Sequence, residues 1–167
     1  VSIVVITVAA LTGTLKISEG ISGFANSAIW LIVGAFLFSR GFIKTGLGKR
    51  IAYNLISAFG SSSLRLAYAL ALSDLILAPA TPSNTARVGG VIMPITTSLA
   101  KAFGSEPQDG PRKIGSFLMQ SIYQVNTITS AMFQTSMAGN TLVAALALQS
   151  FGIGITWGDW AMAAIVP

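Results

Sequence analysis

The chain has 167 residues, of which 53% are hydrophobic and only 9% charged, and its mean hydropathy is +0.73. A charged fraction that low, against about 25% in soluble domains, excludes an ordinary soluble domain and leaves an all-α, multi-pass membrane protein. Cysteine and histidine are both absent, which excludes disulfides, thiolate chemistry, most zinc sites and imidazole catalysis, and the net charge of +5 is better explained by where the basic residues fall between apolar segments than by the basic stripe on a soluble face that nucleic acid would need.

Val1 already lies inside an apolar run, with no initiator methionine or signal peptide before it, so the chain reads as a piece of something longer. Residues 1–15 read as the end of a spanning helix and 16–20 as its outer loop. The uncharged run 21–39, with Trp30 and three further aromatics, is long enough for a second span. Arg40, Lys44, Lys49, Arg50 and Arg65 fall in the next segment, and Lys101, Arg112 and Lys113 in a later one. The positive-inside rule places 40–65 and 101–113 in the cytoplasm.

Within 45–60, Lys49, Arg50 and Asn54 alternate with Leu47, Ile51, Leu55, Ile56 and Phe59 at a helical period. A short basic amphipathic helix lying in the headgroup plane fits this pattern, with an ordinary cytoplasmic connector helix as the alternative.

Ala78-Pro-Ala-Thr-Pro-Ser-Asn-Thr-Ala-Arg-Val-Gly-Gly90 then interrupts two apolar runs, 66–77 and 88–100. Each run is too short to cross a bilayer of about 20 apolar helical residues alone. Pro79 and Pro82 each remove a backbone donor, so the chain is expected to be non-helical there. Inside a membrane such backbone is tolerated only where protein or a wet cavity surrounds it. Both ends lie on the basic side, so a re-entrant helical hairpin over 64–101 accounts for the pattern, with two tilted short spans as the alternative.

The turn-rich segment 103–111 follows. From Ile114 to Gly158 no charge occurs for 45 residues, too long for one span. Its polar residues include Gln120, Gln124, Asn126, Thr129, Ser130, Gln134, Thr135, Ser136 and Asn140, and Gly139 adds backbone freedom. The sequence thus predicts a broken helix over 113–151, interrupted at 136–140. Thr156-Trp157-Gly-Asp159-Trp160 reads as an aromatic belt at the outer face, and 161–167 as the start of another span.

The chemistry concentrates at the hairpin tip. The second arm begins near Ser83 and Asn84, where unpaired N–H groups, the Asn84 amide and the Thr81, Ser83 and Thr85 hydroxyls would make a neutral, donor-rich cup suited to a carboxylate. The same oxygens suit a small hard cation such as Na⁺. The bland alternative is a simple helix N-cap. Asp74 and Arg87 are the only charges within the arms; either they form a structural pair, or Arg87 faces the substrate as its counter-charge. Gly89-Gly90 reads as a close helix-packing contact. Paired catalytic carboxylates, a Ser/His dyad and a phosphate loop are all missing, so the chain reads as no enzyme.

Lys44-Thr-Gly-Leu-Gly-Lys-Arg-Ile-Ala-Tyr53, Leu66-Ala-Tyr-Ala-Leu-Ala-Leu-Ser-Asp74 and the 78–90 segment strongly resemble the divalent anion:sodium symporter family, in its branch of 2-oxoglutarate/malate translocators and citrate/succinate antiporters. The resemblance implies the first half of an inverted-repeat transporter, with scaffold at 1–59, half a transport domain at 60–151 and the next helix starting at 152–167. It implies secondary active transport of dicarboxylates or tricarboxylates, by exchange or sodium symport, in a bacterial inner membrane or plastid inner envelope, and a homodimer in the full-length protein. The alternative is an accessory membrane domain, or part of a membrane-bound enzyme with its active site elsewhere.

By that resemblance Asn84 and Thr85, with Ser83 and Arg87 beside them, contact a substrate carboxylate. Ser83 and Asn84, with Ser136, Gly139 and Asn140 of the interrupted helix, surround a coupling Na⁺; no other cofactor is implied. Two departures point away from sodium coupling and leave room for exchange. Sodium-coupled relatives usually carry Gly-Thr-Pro-Pro-Asn where this chain has Ser136-Met-Ala-Gly-Asn140, and often a hydroxyl where it has Pro79.

Overall fold

A computed structural model describes residues 2–60, 62–106, 108 and 114–165. Among these, every regular element is helical. In chain order they are α1 (Ser2–Leu11), α2 (Ile17–Gly20), α3 (Ser27–Lys44), α4 (Leu47–Phe59), α5 (Ser63–Leu77), α6 (Asn84–Arg87), α7 (Met93–Ala102), α8 (Ile114–Met132), α9 (Ala138–Phe151) and α10 (Trp157–Ala163). A 3₁₀ turn at Ser22–Ala25 precedes α3, another at Ala78–Ala80 extends α5, and a π-bulge at Val88–Ile92 joins α6 to α7. The second arm is therefore one continuous helix over 84–102.

The second apolar segment folds differently from its hydropathy. Residues 21–26 form turns, and the long helix begins at Ser27 and runs past Arg40 to Lys44. Gly46, at φ +70°, supplies the left-handed residue at which the chain bends by 58° into α4. On α4, Gly48 and Ala52 are buried while Lys49, Arg50 and Tyr53 are exposed.

The hairpin arms are longer than their apolar runs. Ser62 caps α5 by accepting from the Arg65 N–H at 3.4 Å, adding a polar first turn. At the other end, Pro79 sits at the start of a 3₁₀ turn, where its missing N–H leaves no bond unmade. The non-helical stretch thus shrinks to 81–83. Ser63–Ala80 is, among the described residues, the one unbroken helical segment long and apolar enough to cross a membrane.

On α5, Leu66, Ala69, Leu70, Ser73, Asp74 and Leu77 are all buried, a continuous stripe at helical spacing that carries the acid inward with the leucines. Leu66, Leu70 and Leu77 pack with Ala52 of α4, Val91, Ile92 and Ile95 of the second arm, and Leu118 and Ile122 of α8. Close contacts between helices are at Gly48, where an added Cβ would lie 3.3 Å from the Val91 methyls, and at Gly115 of α8, where it would lie 3.3 Å from the Ala100 Cβ of α7 and 2.6 Å from Ser105 Oγ. Gly90 makes only ordinary contact with Ile43, and Gly89 faces open space.

The uncharged run is broken, but earlier than its composition suggests: α8 ends at Met132 and α9 starts at Ala138. Asn140 and Gly139 belong to the first turn of α9, and Gly139 is not among the glycines with positive φ. The reason lies in side chains. Ser136 donates to the carbonyls of Ser130 at 2.6 Å and Phe133 at 2.8 Å, and the Asn140 amide donates to the same two. The orphaned carbonyls at the end of α8 are thereby met from beyond the break. Arg112 and Lys113, read as cytoplasmic, lie outside the described residues, as do parts of 103–111 and Pro167.

Candidate functional site

Arg87 is the hub of the molecule. It is fully buried, and its Nε donates to Asp74 Oδ1 at 2.8 Å. Nη1 donates to the carbonyls of Thr81 and Ser136, both at 3.3 Å. Nη2 donates to Asn126 Oδ1 at 3.1 Å, Thr129 Oγ1 at 3.3 Å and Ser130 Oγ at 3.1 Å. Thr129 in turn donates to the second Asp74 oxygen. A single guanidinium thus ties both hairpin arms, the tip, α8 and the break that follows it together.

Of the two readings of Arg87, the geometry is that of the pair with Asp74. The guanidinium is turned into α8 and away from open space, with every N–H group engaged.

Further bonds lock the tip against the break. The Ala138 N–H donates to the Pro82 carbonyl at 3.0 Å, and the Thr135 hydroxyl to the Pro79 carbonyl at 2.9 Å. Ser83, Asn84 and Thr85 are therefore brought beside 136–140. They are partly buried or exposed, unlike the hub behind them.

The tip meets more of its own hydrogen-bonding needs than a free donor cup would. Ser83 is the N-cap, accepting from the Ala86 N–H at 3.2 Å. Asn84 Oδ1 accepts from the Thr85 N–H at 2.8 Å, and the Arg87 N–H bonds to the Ser83 carbonyl at 3.0 Å. What is left over is narrower: the Asn84 side-chain NH₂ of a half-buried residue, which makes no hydrogen bond among the described residues, and the exposed Thr85 hydroxyl, whose one hydrogen bond is a long 3.4 Å contact to Asn84 Oδ1.

On the other side of the tip, Ser136 and Asn140 spend their donors on the carbonyls of Ser130 and Phe133, and the Ser136 carbonyl itself accepts from Arg87. No group of three or more Asp, Glu, His or Cys able to hold a metal occurs among the described residues.

Three contributors were not legible as site residues. Asn126, Thr129 and Ser130 recur at i, i+3 and i+4 in an uncharged helix, a spacing that puts them on one face and could have marked them as partners for an intramembrane charge. Trp157 and Trp160, read as belt residues, also clasp the break. Trp160 Nε1 donates to the Ala131 carbonyl at 2.9 Å, Trp157 Nε1 to Thr135 Oγ1 at 3.2 Å, and the Trp157 ring stacks on Phe133 at 5.7 Å. They are carried by a capping box in which Thr156 and Asp159 exchange bonds. Hydrogen bonds from the Thr156 side chain and backbone hold the exposed Asp159 carboxyl below the usual carboxylate range.

The whole chain, residues 1–167, matches the family described as the sodium:sulfate symporter transmembrane region. It is 57% identical over its full length to YflS of Bacillus subtilis (strain 168), provisionally named a malate transporter, of which it covers 35%. It is 51% identical, over 94% of its length, to chloroplastic dicarboxylate transporter 1 of Spinacia oleracea, covering 28% of that protein. It is 46% identical, over 87% of its length, to an L-tartrate/succinate antiporter of Escherichia coli (strain UTI89 / UPEC), covering 30%. The chain thus spans about a third of the length of these relatives. In agreement with the resemblance carried by the 44–53 and 78–90 segments, the chain belongs to the sodium:sulfate symporter family and is part of a multi-pass membrane protein.

Proposed function

We propose that this chain supplies one side of the substrate site of a secondary transporter for dicarboxylates or tricarboxylates, with Asn84 and Thr85 as donors to one carboxylate. It is a transport element rather than an enzyme. The observation that carries this reading is the contrast at the tip. The backbone behind Ser83 is tied into the protein by Arg87, Ala138 and Thr135, while the Asn84 amide and the Thr85 hydroxyl keep donors without a strong partner at the start of a long helix.

A carboxylate placed there accepts charge-assisted hydrogen bonds, each worth roughly 1.5–3 kcal/mol, with help from the helix dipole. Arg87 adds little net charge because Asp74 is at contact distance. Recognition by neutral donors keeps binding weak enough for the anion to leave again, which a transporter requires. The remaining ligands for the anion belong to parts of the full-length protein beyond this chain, and the tip is reached through a re-entrant hairpin.

Exchange is the coupling mode favoured by the hydrogen-bond pattern. A sodium ion at Ser83, Asn84, Ser136, Gly139 and Asn140 would need oxygens that already accept from N–H groups, including the Ser136 carbonyl held by Arg87. The test is counterflow of labelled malate, 2-oxoglutarate, succinate or citrate into proteoliposomes of the full-length protein, with sodium present or replaced by choline. We expect uptake driven by internal dicarboxylate, unchanged in choline, and abolished by Asn84→Ala in protein that still melts like the wild type. Uptake that needs sodium would overturn exchange; full uptake by Asn84→Ala would overturn the site.

A further inference from the structure

We infer that the bend between α3 and α4, together with the outer face of α4, is a binding surface for anionic phospholipid. Arg40, Lys44, Lys49 and Arg50 are all exposed and lie within 11 residues around Gly46. No acidic residue occurs between Glu19 and Asp74, and the one ion pair among the described residues is Asp74–Arg87, buried elsewhere. Four cations are thus presented together without an acid in the same stretch to neutralise them.

The face that carries them is amphipathic in a particular way. Gly48 and Ala52 turn inward to α5 and Val91, which fixes the rotation of α4. That rotation leaves Lys49 and Tyr53, one turn apart, exposed together with Arg50, and Leu47 and Phe59 are also exposed at the two ends. A helix facing only bulk water has no use for exposed Leu, Tyr and Phe among its cations, whereas a headgroup layer satisfies both classes at once. Further along, a groove of about 280 Å³ between α4 and α5 is lined by Ala58, Phe59, Arg65, Tyr68, Ala69 and Leu72. It offers an acyl chain a mostly apolar bed.

Anionic headgroups attract juxtamembrane cations with a strength equivalent to roughly fivefold in preference per residue, and the effect is screened by salt. The chemistry therefore selects phosphatidylglycerol-like lipids over zwitterionic ones. The full-length protein is reconstituted in mixed phosphatidylglycerol/phosphatidylcholine nanodiscs, re-extracted in mild detergent, and its retained lipid is quantified by mass spectrometry. Wild type is expected to retain phosphatidylglycerol several-fold above its bulk share. Arg40→Gln/Lys44→Gln/Lys49→Gln/Arg50→Gln should fall to the bulk ratio, and the charge-preserving Lys44→Arg/Lys49→Arg should keep the enrichment. If the fourfold variant does not elute as folded protein, Lys49→Gln/Arg50→Gln reads the same loss at smaller scale. A bulk ratio around wild type, or undiminished enrichment in the neutralised variants, overturns the inference. The readout is lipid composition and not transport, so it stands or falls separately from the proposed function.

Discussion

Arg87 offers five N–H groups to six acceptors drawn from α5, the tip, α8 and the break. Removing one partner of such a pair leaves a buried charge uncompensated, at about 3–5 kcal/mol. Asp74→Asn should therefore lower stability by roughly that amount, and Arg87→Met by at least as much, since it also strips donors from Thr81, Ser136, Asn126 and Ser130. Arg87→Lys should fail to restore it, because an ammonium is a point charge that cannot replace a planar fork reaching in three directions. Thermal unfolding in detergent reads all three. A stable Arg87→Lys protein deficient only in substrate affinity would instead turn the guanidinium toward the substrate. Asp74 and Arg87 were conspicuous in the sequence because charges are costly in apolar arms. Their other partners were not, since Asn126, Thr129 and Ser130 are neutral and become ligands only through the way α8 docks against α5.

At the scale of elements, helices and their order were legible and their ends were not. Hydropathy marks where a helix could be apolar, but capping decides where it stops. Ser62 starts α5 ahead of its apolar run, Pro79 fits a 3₁₀ turn instead of ending the arm, and Ser136 and Asn140 hold the break at 133–137. The glycines make the same point. Gly89 and Gly90 stand out as a pair, yet Gly48 and Gly115 are where helices meet closely. Gly48→Val would push against the Val91 methyls and should cost about 1–3 kcal/mol by overpacking. Gly89→Ala meets nothing within 4 Å and should be neutral, or stabilise by up to about 1 kcal/mol through the unfolded chain. Melting temperatures of the two variants side by side check this; a Gly89→Ala loss as large as that of Gly48→Val would reverse the assignment.

Across the whole molecule, polarity is arranged for lipid outside. Ile3, Leu11, Leu37 and Phe151 are largely exposed, while Ser73, Asp74, Thr81, Arg87 and Ser136 are buried, and among the described residues no buried side-chain polar atom lacks a partner. The interior network runs from α5 through the tip to α8, α9 and, by the tryptophan clasp, α10. By contrast, α3 faces the tip across an open, mostly apolar groove lined by Trp30, Ala35, Phe38, Pro79, Ala80 and Thr135. A hydrogen-bonded interface is held in one register by directional bonds, whereas an apolar one can slide, so motion during transport should occur between α3 and the tip and not between the tip and the break. The absence of cysteine in this chain makes the test direct, with any cysteine elsewhere in the full-length protein replaced first. Paired cysteines at Pro79 and Thr135, joined by a short thiol cross-linker, should leave counterflow near that of the unlinked protein. The same linker between Ala35 and Ala80 should stop it, with activity returning on reduction of a cleavable linker. Inhibition by the first link and indifference to the second would mean that the hairpin moves against the broken helix, and that the Arg87 hub opens during the cycle.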